Sequence, residues 1–353
     1  MINVEAILQG DRRALAQLLT LVENDDPRGA EALDRLFPHT GKAHLVGITG
    51  SPGTGKSSLA NQLARVYRKP ADGSEPRRVA VVAVDPSSPF TGGAILGDRV
   101  RMRDLSGDPG VFIRSMASRG ALGGIARATA AVVQVLDAAG YEMILIETVG
   151  AGQAEVDIAK LAHTTIVVEA PGLGDDIQAI KAGILEIADI LVVNKADLPG
   201  AENTLRALRA SLELAHPARR VDTLKAGYSG SLKAGHAGTP KAGYSRSMKS
   251  TSAPEPEDDF WLPPVLLTES PRAVGIVEVT QAIARHADYL HRSGEWELRE
   301  QNRLRSELDA LIQAQLVARW RNSVPSSAYD AALESLYQHK LSPQQAARDL
   351  VKE

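Results

Sequence analysis

The sequence predicts an α/β fold: a doubly wound, mostly parallel sheet, preceded by short helices and followed by a helical arm. Three observations predict it. Short apolar, β-branched runs recur with helical stretches of ten or more residues between them, the pattern of strands buried on both faces in βαβ units. A glycine-rich phosphate-binding motif joins the first run to the helix after it. Beyond Gly294 the pattern is purely helical.

In chain order, residues 4–36 place Ala14, Leu15, Leu18, Leu19, Ala30, Leu33 and Leu36 at helical spacing, punctuated by Asp26-Pro27 and Pro38. This predicts two or three short helices and an N-terminal unit of residues 1–40. A core of residues 41–292 follows, with strands expected at Leu45–Ile48, Val79–Val84, Val111–Ile113, Met143–Ile146, Thr165–Val168, Ile190–Val193 and Val265–Leu267, and a last core helix from about Ala273 to His291. Ligands are expected at the carboxyl ends of these strands. Residues 223–259 break the pattern: Lys225-Ala226-Gly227-Tyr228, Lys233-Ala234-Gly235-His236 and Lys241-Ala242-Gly243-Tyr244 recur every eight residues in a Ser/Gly-rich setting that passes into an acidic stretch. Such composition buries too little apolar surface to offset its ordering entropy, so a disordered surface insertion is expected. Residues 293–353 form the arm, where Trp296, Leu304, Leu308, Leu311, Ile312, Leu316 and Trp320 read as one apolar stripe, broken at Pro325 and followed by helical stretches carrying Leu333, Leu336 and Leu350. The stripe is read as a homodimer surface, with packing on its own domain as the alternative.

The chain of 353 residues carries a net charge of −3, so neither nucleic acid nor an anionic membrane is expected as a partner. It has no cysteine, which excludes disulfides, thiolate metal sites and cysteine nucleophiles. No apolar run approaches the roughly 20 residues that span a bilayer, and the start lacks the basic-then-apolar pattern of a signal peptide. The expectation is a protein of the bacterial cytoplasm.

The phosphate motif is Gly50-Ser51-Pro52-Gly53-Thr54-Gly55-Lys56-Ser57, a full G-x-x-x-x-G-K-[ST] match, continued by Ser58 into the helix. Glycines let backbone N–H groups turn onto phosphate, Lys56 reaches the β/γ oxygens, and Ser57 is placed for Mg²⁺. The strand Met143–Ile146 ends in Glu147-Thr148-Val149-Gly150, where a carboxylate beside the phosphate loop suits Mg²⁺ and Gly150 offers an N–H to the γ-phosphate. Asn194-Lys195-Ala196-Asp197 follows another strand. In an N-K-x-D loop the Asp197 carboxylate accepts from guanine N1–H and N2–H₂, while adenine would leave it partly unpaired, so GTP and GDP are the expected ligands rather than ATP. Between Asp85 and Met102 a Gly-rich stretch is flanked by Asp85, Asp98, Arg99 and Arg101, a candidate switch whose acids orient Mg²⁺ or water and whose arginines meet phosphate charge.

These motifs, with Gln153 after the Glu147 motif, the stretch Pro171–Lys181 and the run Ile187–Asp197, resemble the methylmalonyl-CoA mutase-associated GTPases, a family also known by the older label of arginine/ornithine transport kinases. The resemblance covers about residues 4–222 and resumes near 260 into the arm. It implies a P-loop GTPase core and a homodimeric chaperone that binds a cobalamin-dependent acyl-CoA mutase, gates adenosylcobalamin loading and protects the enzyme from inactivation. Turnover would be slow alone and stimulated by the partner. It also implies that Pro171–Lys181 is an additional switch, with Asp175, Gln178 and Lys181 the coupling positions; from residues alone that stretch is a Gly-rich turn. Two departures stand out. Thr268-Glu269-Ser270 replaces the family's usual Thr-Ser-Ala, a contact to the base expected to survive through the backbone N–H of Ser270, and the Lys-Ala-Gly insertion is longer than the family pattern. The rival readings are a nickel-type metal-insertion GTPase, which would need ligands although the eight histidines are scattered along the sequence, and a P-loop kinase, for which no acceptor motif is found.

Overall fold

A computed structural model of the chain describes residues 2–86, 105, 107–118, 124–148, 153–172, 185–215 and 260–352. Three helices come first: α1 (Val4–Leu8), α2 (Arg12–Glu23) and α3 (Pro27–Leu36). Each begins on a side-chain cap. Asn3 Oδ1 accepts from Ala6 N–H, Asp11 Oδ1 from Arg13 and Ala14 N–H, and Asp26 Oδ1 from Arg28 N–H with Pro27 in the first turn. Leu15, Leu18, Leu19 and Val22 form the buried stripe of α2, at the i, i+3, i+4, i+7 spacing a core-facing helix requires.

Among the described residues, seven strands then build one sheet: β1 (His44–Thr49), β2 (Val79–Pro86), β3 (Val111–Ser118), β4 (Met143–Thr148), β5 (Thr164–Glu169), β6 (Ile190–Val193) and β7 (Val265–Leu267). Their order is β3-β2-β4-β1-β5-β6-β7, and every pairing is parallel. Between them lie α4 (Lys56–Arg68), α5 (Gly124–Ala138), α6 (Gln153–Leu161) and α7 (Ala201–Ala215); α8 (Ile276–Ser293) follows β7. Because side chains alternate across a strand, Leu45 of β1 joins α2, α3 and α5 in one core while Val46 and Ile48 join α4 and α8 in the other. Each side chain fully buried in these layers contributes about 1.5–3 kcal/mol. A third cluster packs α7 against β5 and β6 through Leu205, Leu208, Leu212, Val167, Leu191 and Val193.

Several strands run one or two residues longer than the sequence reading, and two boundaries differ by more. β3 runs on past Ile113 to Ser118, because an edge strand needs only alternation: Met116 is buried while Arg114 pairs with Glu23 of α2 at 2.6 Å. The last core helix starts at Ile276, not Ala273. Ala273 (φ 57°) and Gly275 (φ 75°) both stand in the left-handed region, which closes a turn around Ser270–Arg272 and cannot continue into a right-handed helix.

Left-handed Gly294 then turns the chain into the arm: α9 (Glu295–Ser323), α10 (Ser326–Tyr337) and α11 (Pro343–Lys352). The stripe read from the sequence divides into three parts. Trp296 leaves it altogether, stacking between His163 and His291 with centroids 4.0 and 4.2 Å away and meeting His44 edge-on. Leu308, Leu311, Ile312 and Leu316 are exposed, so packing on its own domain stops after the first turns of α9. Trp320 donates to the Leu350 carbonyl at 2.8 Å and meets Tyr329 edge-on, closing α9 against α10 and α11. No helix among the described residues is long and apolar enough to cross a membrane.

At the root of the arm, histidines scattered in sequence converge, and among the described residues no group of three or more His, Asp or Glu is placed to hold a metal ion. His44 Nε2 and His286 Nδ1 both bond Thr164 Oγ1, at 2.8 and 2.9 Å, and His163 Nε2 lies 3.3 Å from Glu300 of α9. Burial drives His44 well below the ordinary imidazole range and lowers His163, against the pull of Glu300. Burial alone would raise the Asp189 and Glu300 carboxyls, but hydrogen bonds from His286 and Arg299 hold Asp189 at about 2, and those from His163 and Arg303 hold Glu300 at about 2. The signs agree. Histidines with lowered values contribute stability that is full above about pH 6.5 and declines as pH falls below it, and the carboxylates add a loss as pH falls from about 4.5 toward 2. Thermal unfolding from pH 8 to 4 is therefore expected to show a Tm flat above neutrality and lower at pH 5, by about 2–4 °C for each kcal/mol lost. A Tm that rises on acidification contradicts this.

Candidate functional site

The carboxyl ends of β1, β4, β5 and β6 and the loop after β7 meet at one edge of the sheet. From β1 the chain passes through residues 50–55 into α4 on a backbone with positive φ at Gly50, Gly53 and Gly55, and two of these glycines also lie against their neighbours. Gly50 (φ 132°) lies so close to β5 that a Cβ would stand 2.0 Å from the Val168 carbonyl. At Gly55 (φ 92°), which caps α4, a Cβ would stand 2.4 Å from Asn194 Nδ2. The loop can therefore approach both β5 and the Asn194 loop only without side chains at these positions. Thr54 is fully buried, its hydroxyl donating to the Ser51 carbonyl at 2.9 Å, while Pro52, Gly53 and Ser58 face outward.

Lys56 is buried, and its Nζ donates to the carbonyls of Gly50 at 2.7 Å and Ser51 at 2.9 Å. The ammonium thus finds partners on the loop's own backbone and braces it. Ser57 Oγ donates to Glu147 Oε1 at 2.9 Å, across the register that pairs Ile48 with Glu147. The hydroxyl and the carboxylate are hard oxygen donors of the kind Mg²⁺ takes, and a Mg²⁺ site completed by phosphate and water needs only one or two of them from protein. One step along both strands, Thr148 Oγ1 donates to Thr49 Oγ1 at 3.1 Å, a buried bridge between the roots of the phosphate loop and of the Glu147 turn.

Asn194 organises the other half of the site. Its N–H donates to Glu169 O of β5, and its Nδ2 donates to the Thr54 carbonyl at 2.8 Å, tying its loop to the phosphate loop. Its Oδ1 accepts from Thr268 Oγ1 at 3.0 Å, Ser270 Oγ at 2.9 Å and Ser270 N–H at 3.2 Å. Ser270 N–H, expected to face the base, is thus donated to Asn194 here, and Glu269 N–H goes to the Val274 carbonyl. Lys195 takes a left-handed backbone (φ 57°), Ala196 N–H donates to Thr268 O, and Asp197 is exposed at the rim.

The structure therefore gathers residues 50–58, Glu147, Asn194, Lys195, Asp197 and Ser270 at one edge. Asp85 stands near the end of β2 and Gln153 opens α6, with their side chains outside the described residues. Asp98, Arg99, Arg101, Gly150, Asp175, Gln178, Lys181 and the 223–259 insertion also lie outside them. Two participants went unread in the sequence. The Thr49–Thr148 bridge had no signal beyond two threonines at strand ends, and Glu169, within 3.5 Å of Ser51 Oγ, read only as the end of an apolar run.

A sequence profile described as methylmalonyl-CoA mutase-associated GTPase MeaB matches residues 15–324. A Pyrococcus abyssi protein, a GTPase by name, is 41% identical over 350 residues, covering 99% of this chain and 95% of that one. The methylmalonic aciduria type A homolog of Caenorhabditis elegans is 30% identical over 315 residues, 85% of this chain and 69% of that one. Among solved structures, a LAO/AO transport system kinase superposes with a TM-score of 0.62 at 25% identity, covering 99% of this chain and 95% of that one. With a phosphate loop, a hydrogen-bonded Ser57–Glu147 pair and an N-K-x-D loop joined at one sheet edge, the chain belongs to the methylmalonyl-CoA mutase-associated GTPase family and is a P-loop hydrolase of GTP.

Proposed function

We propose that this protein is a GTPase chaperone of a cobalamin-dependent acyl-CoA mutase, of the methylmalonyl-CoA mutase type, gating adenosylcobalamin loading and protecting the loaded enzyme. The observation that carries the reading is the extent of the family match: it spans the GTPase core and all of α9, so the likeness includes the first helix of the arm as well as the nucleotide site. The family is named for association with that mutase. The exposed Leu308, Leu311, Ile312 and Leu316 on α9 support a homodimer through the arm, since an apolar stripe on a free helix needs a cover.

In the proposed reaction, water attacks the γ-phosphate of GTP. The amides of residues 50–58 and the Lys56 ammonium hold the phosphates and stabilise charge that grows on them in the transition state. Ser57 and Glu147 would hold Mg²⁺, which when bound would neutralise charge that grows on the phosphates. Asp85 or Asp98 orients the water, Gly150 offers its N–H to the γ-phosphate, and Arg99 or Arg101 meets the charge. Asp197 reads the guanine edge, Lys195 packs on the ring, and Ser270 closes the loop behind it. The base loop is tied to the phosphate loop through Asn194, so base and phosphates are read by one connected frame. Asp175, Gln178, Lys181 and Gln153 report nucleotide state to the client, whose binding completes the site and raises a slow basal rate.

Gel filtration of the protein with the acyl-CoA mutase of its own organism tests this. Co-elution that differs between GDP and a non-hydrolysable GTP analogue is expected. Separate elution with both nucleotides sinks the client assignment.

A further inference from the structure

Three strands deliver the base side of the site: β5 ends at Glu169, β6 leads into Asn194, and β7 leads into Thr268 and Ser270. Asn194 ties them together at their carboxyl ends, and a second residue, through its side chain and its carbonyl, does the same at their amino ends. Asp189, just before β6, is 8% exposed. Its Oδ2 accepts from Thr165 N–H of β5 and from Arg299 Nη1, both at 2.8 Å, and its Oδ1 accepts from Arg299 Nη2 at 2.9 Å and lies 3.3 Å from His286 Nε2. Its carbonyl accepts from Trp261 Nε1, in the lead to β7, at 2.8 Å. Arg299 Nη1 also donates to the His163 carbonyl ahead of β5, at 2.7 Å. Asp189 and Asn194 are thus hubs at the two ends of one strand, about 16 Å apart along the chain. Of the described groups bonded to Asp189, Arg299 alone belongs to the arm.

We propose that Asp189 and Arg299 are positioning residues for guanine recognition: the seating of the arm on Asp189 sets the offset of β5, β6 and β7, and through it the placement of the Asn194–Asp197 loop against Thr268 and Ser270. The ladder leaves room for this control. β7 pairs with β6 over only three residues, Leu191–Val193 against Val265–Leu267, so the offset of these two strands rests on few bonds and on what clamps their ends. Removing the guanidinium leaves the buried carboxylate with only Thr165 N–H and His286 beside it, short of its charged partner, which the strand ends must relax to hydrate. The phosphate loop grows instead from β1, between β4 and β5, and β1 makes no bond to Asp189. Control from Arg299 therefore falls first on the base and reaches the phosphate loop only at second hand, through Asn194 and through the bonds of His163 to Leu45 of β1. By reciprocity, whatever shifts the arm changes guanine affinity, and guanine binding tightens the arm root.

The inference rests on Asn194–Asp197 as the base loop and is independent of the client. The test is the affinity of Arg299→Ala for GDP and for inorganic pyrophosphate, which engages the phosphate cradle alone. GDP is expected to weaken about fivefold or more and pyrophosphate to stay within about twofold, with Arg299→Lys recovering part of the GDP affinity. Equal loss for both ligands, or no loss for GDP, overturns the proposal. Should Arg299→Ala fail to fold, amide exchange in the unaltered protein decides: GDP must slow exchange at Thr165 N–H more than pyrophosphate does, and an equal effect overturns it. Asp197→Asn is the control for the base loop. If it leaves GDP affinity unchanged, the base-loop assignment fails; if it weakens GDP while Arg299→Ala does not, only the coupling fails.

Discussion

Lys56→Ala is expected to lower GTP hydrolysis by about a hundredfold or more, the cost of removing a preorganised charge from a phosphoryl-transfer site. The structure sharpens this. The ammonium is buried and bonded to the Gly50 and Ser51 carbonyls, so its loss removes both the charge and the brace that holds the loop's curvature. Nucleotide affinity should fall together with the rate. Lys56→Arg should not rescue, because a planar, forked guanidinium does not reproduce the compact ammonium held between the Gly50 and Ser51 carbonyls. Single-turnover phosphate release and GDP binding measure the two effects; a variant within tenfold of the unaltered rate, as an order of magnitude, contradicts the role given to Lys56.

Asp197→Asn is expected to exchange guanine for xanthine preference. The carboxylate accepts from two guanine donors, whereas an amide presents a donor of its own, which suits the xanthine carbonyl at position 2. A site built on such pairing discriminates by as much as about 10⁴–10⁵, so GTP affinity should fall at least about a hundredfold while XTP gains. Asp197 is exposed at the rim and bears no packing, so the fold should be unaffected and Tm should change little. Competition of GTP, XTP and ATP for the variant reads the outcome, and unchanged GTP affinity refutes the assignment of the base loop.

What was legible in the sequence is what neighbours in the chain determine. β1, the phosphate loop and α4 are consecutive, and so are β6 and the Asn194 loop; periodicity and motif spacing report such units directly. The contacts that make one site of them are not local. Asn194 meets Thr54 across 140 positions and Ser270 across 76, and no pattern on either segment announces the partner. The root of the arm shows the same limit. His44, His163 and His286 look isolated because β1, β5 and α8 bring them together only after the sheet is wound, and Trp296 looks like part of a stripe because helical periodicity cannot tell which end of a long helix has a domain beneath it. The start of α8 was misplaced for a local reason, the left-handed Ala273, a conformation rare for a residue with a Cβ.

The most direct measurement of the central claim is GTP hydrolysis by the purified protein, alone and with the cobalamin-dependent acyl-CoA mutase of the same organism, with ATP as control. A slow rate confined to GTP and strongly raised by the mutase is the predicted result. GTP turned over at one rate with and without the mutase would leave the GTPase in place and contradict its role as that enzyme's chaperone.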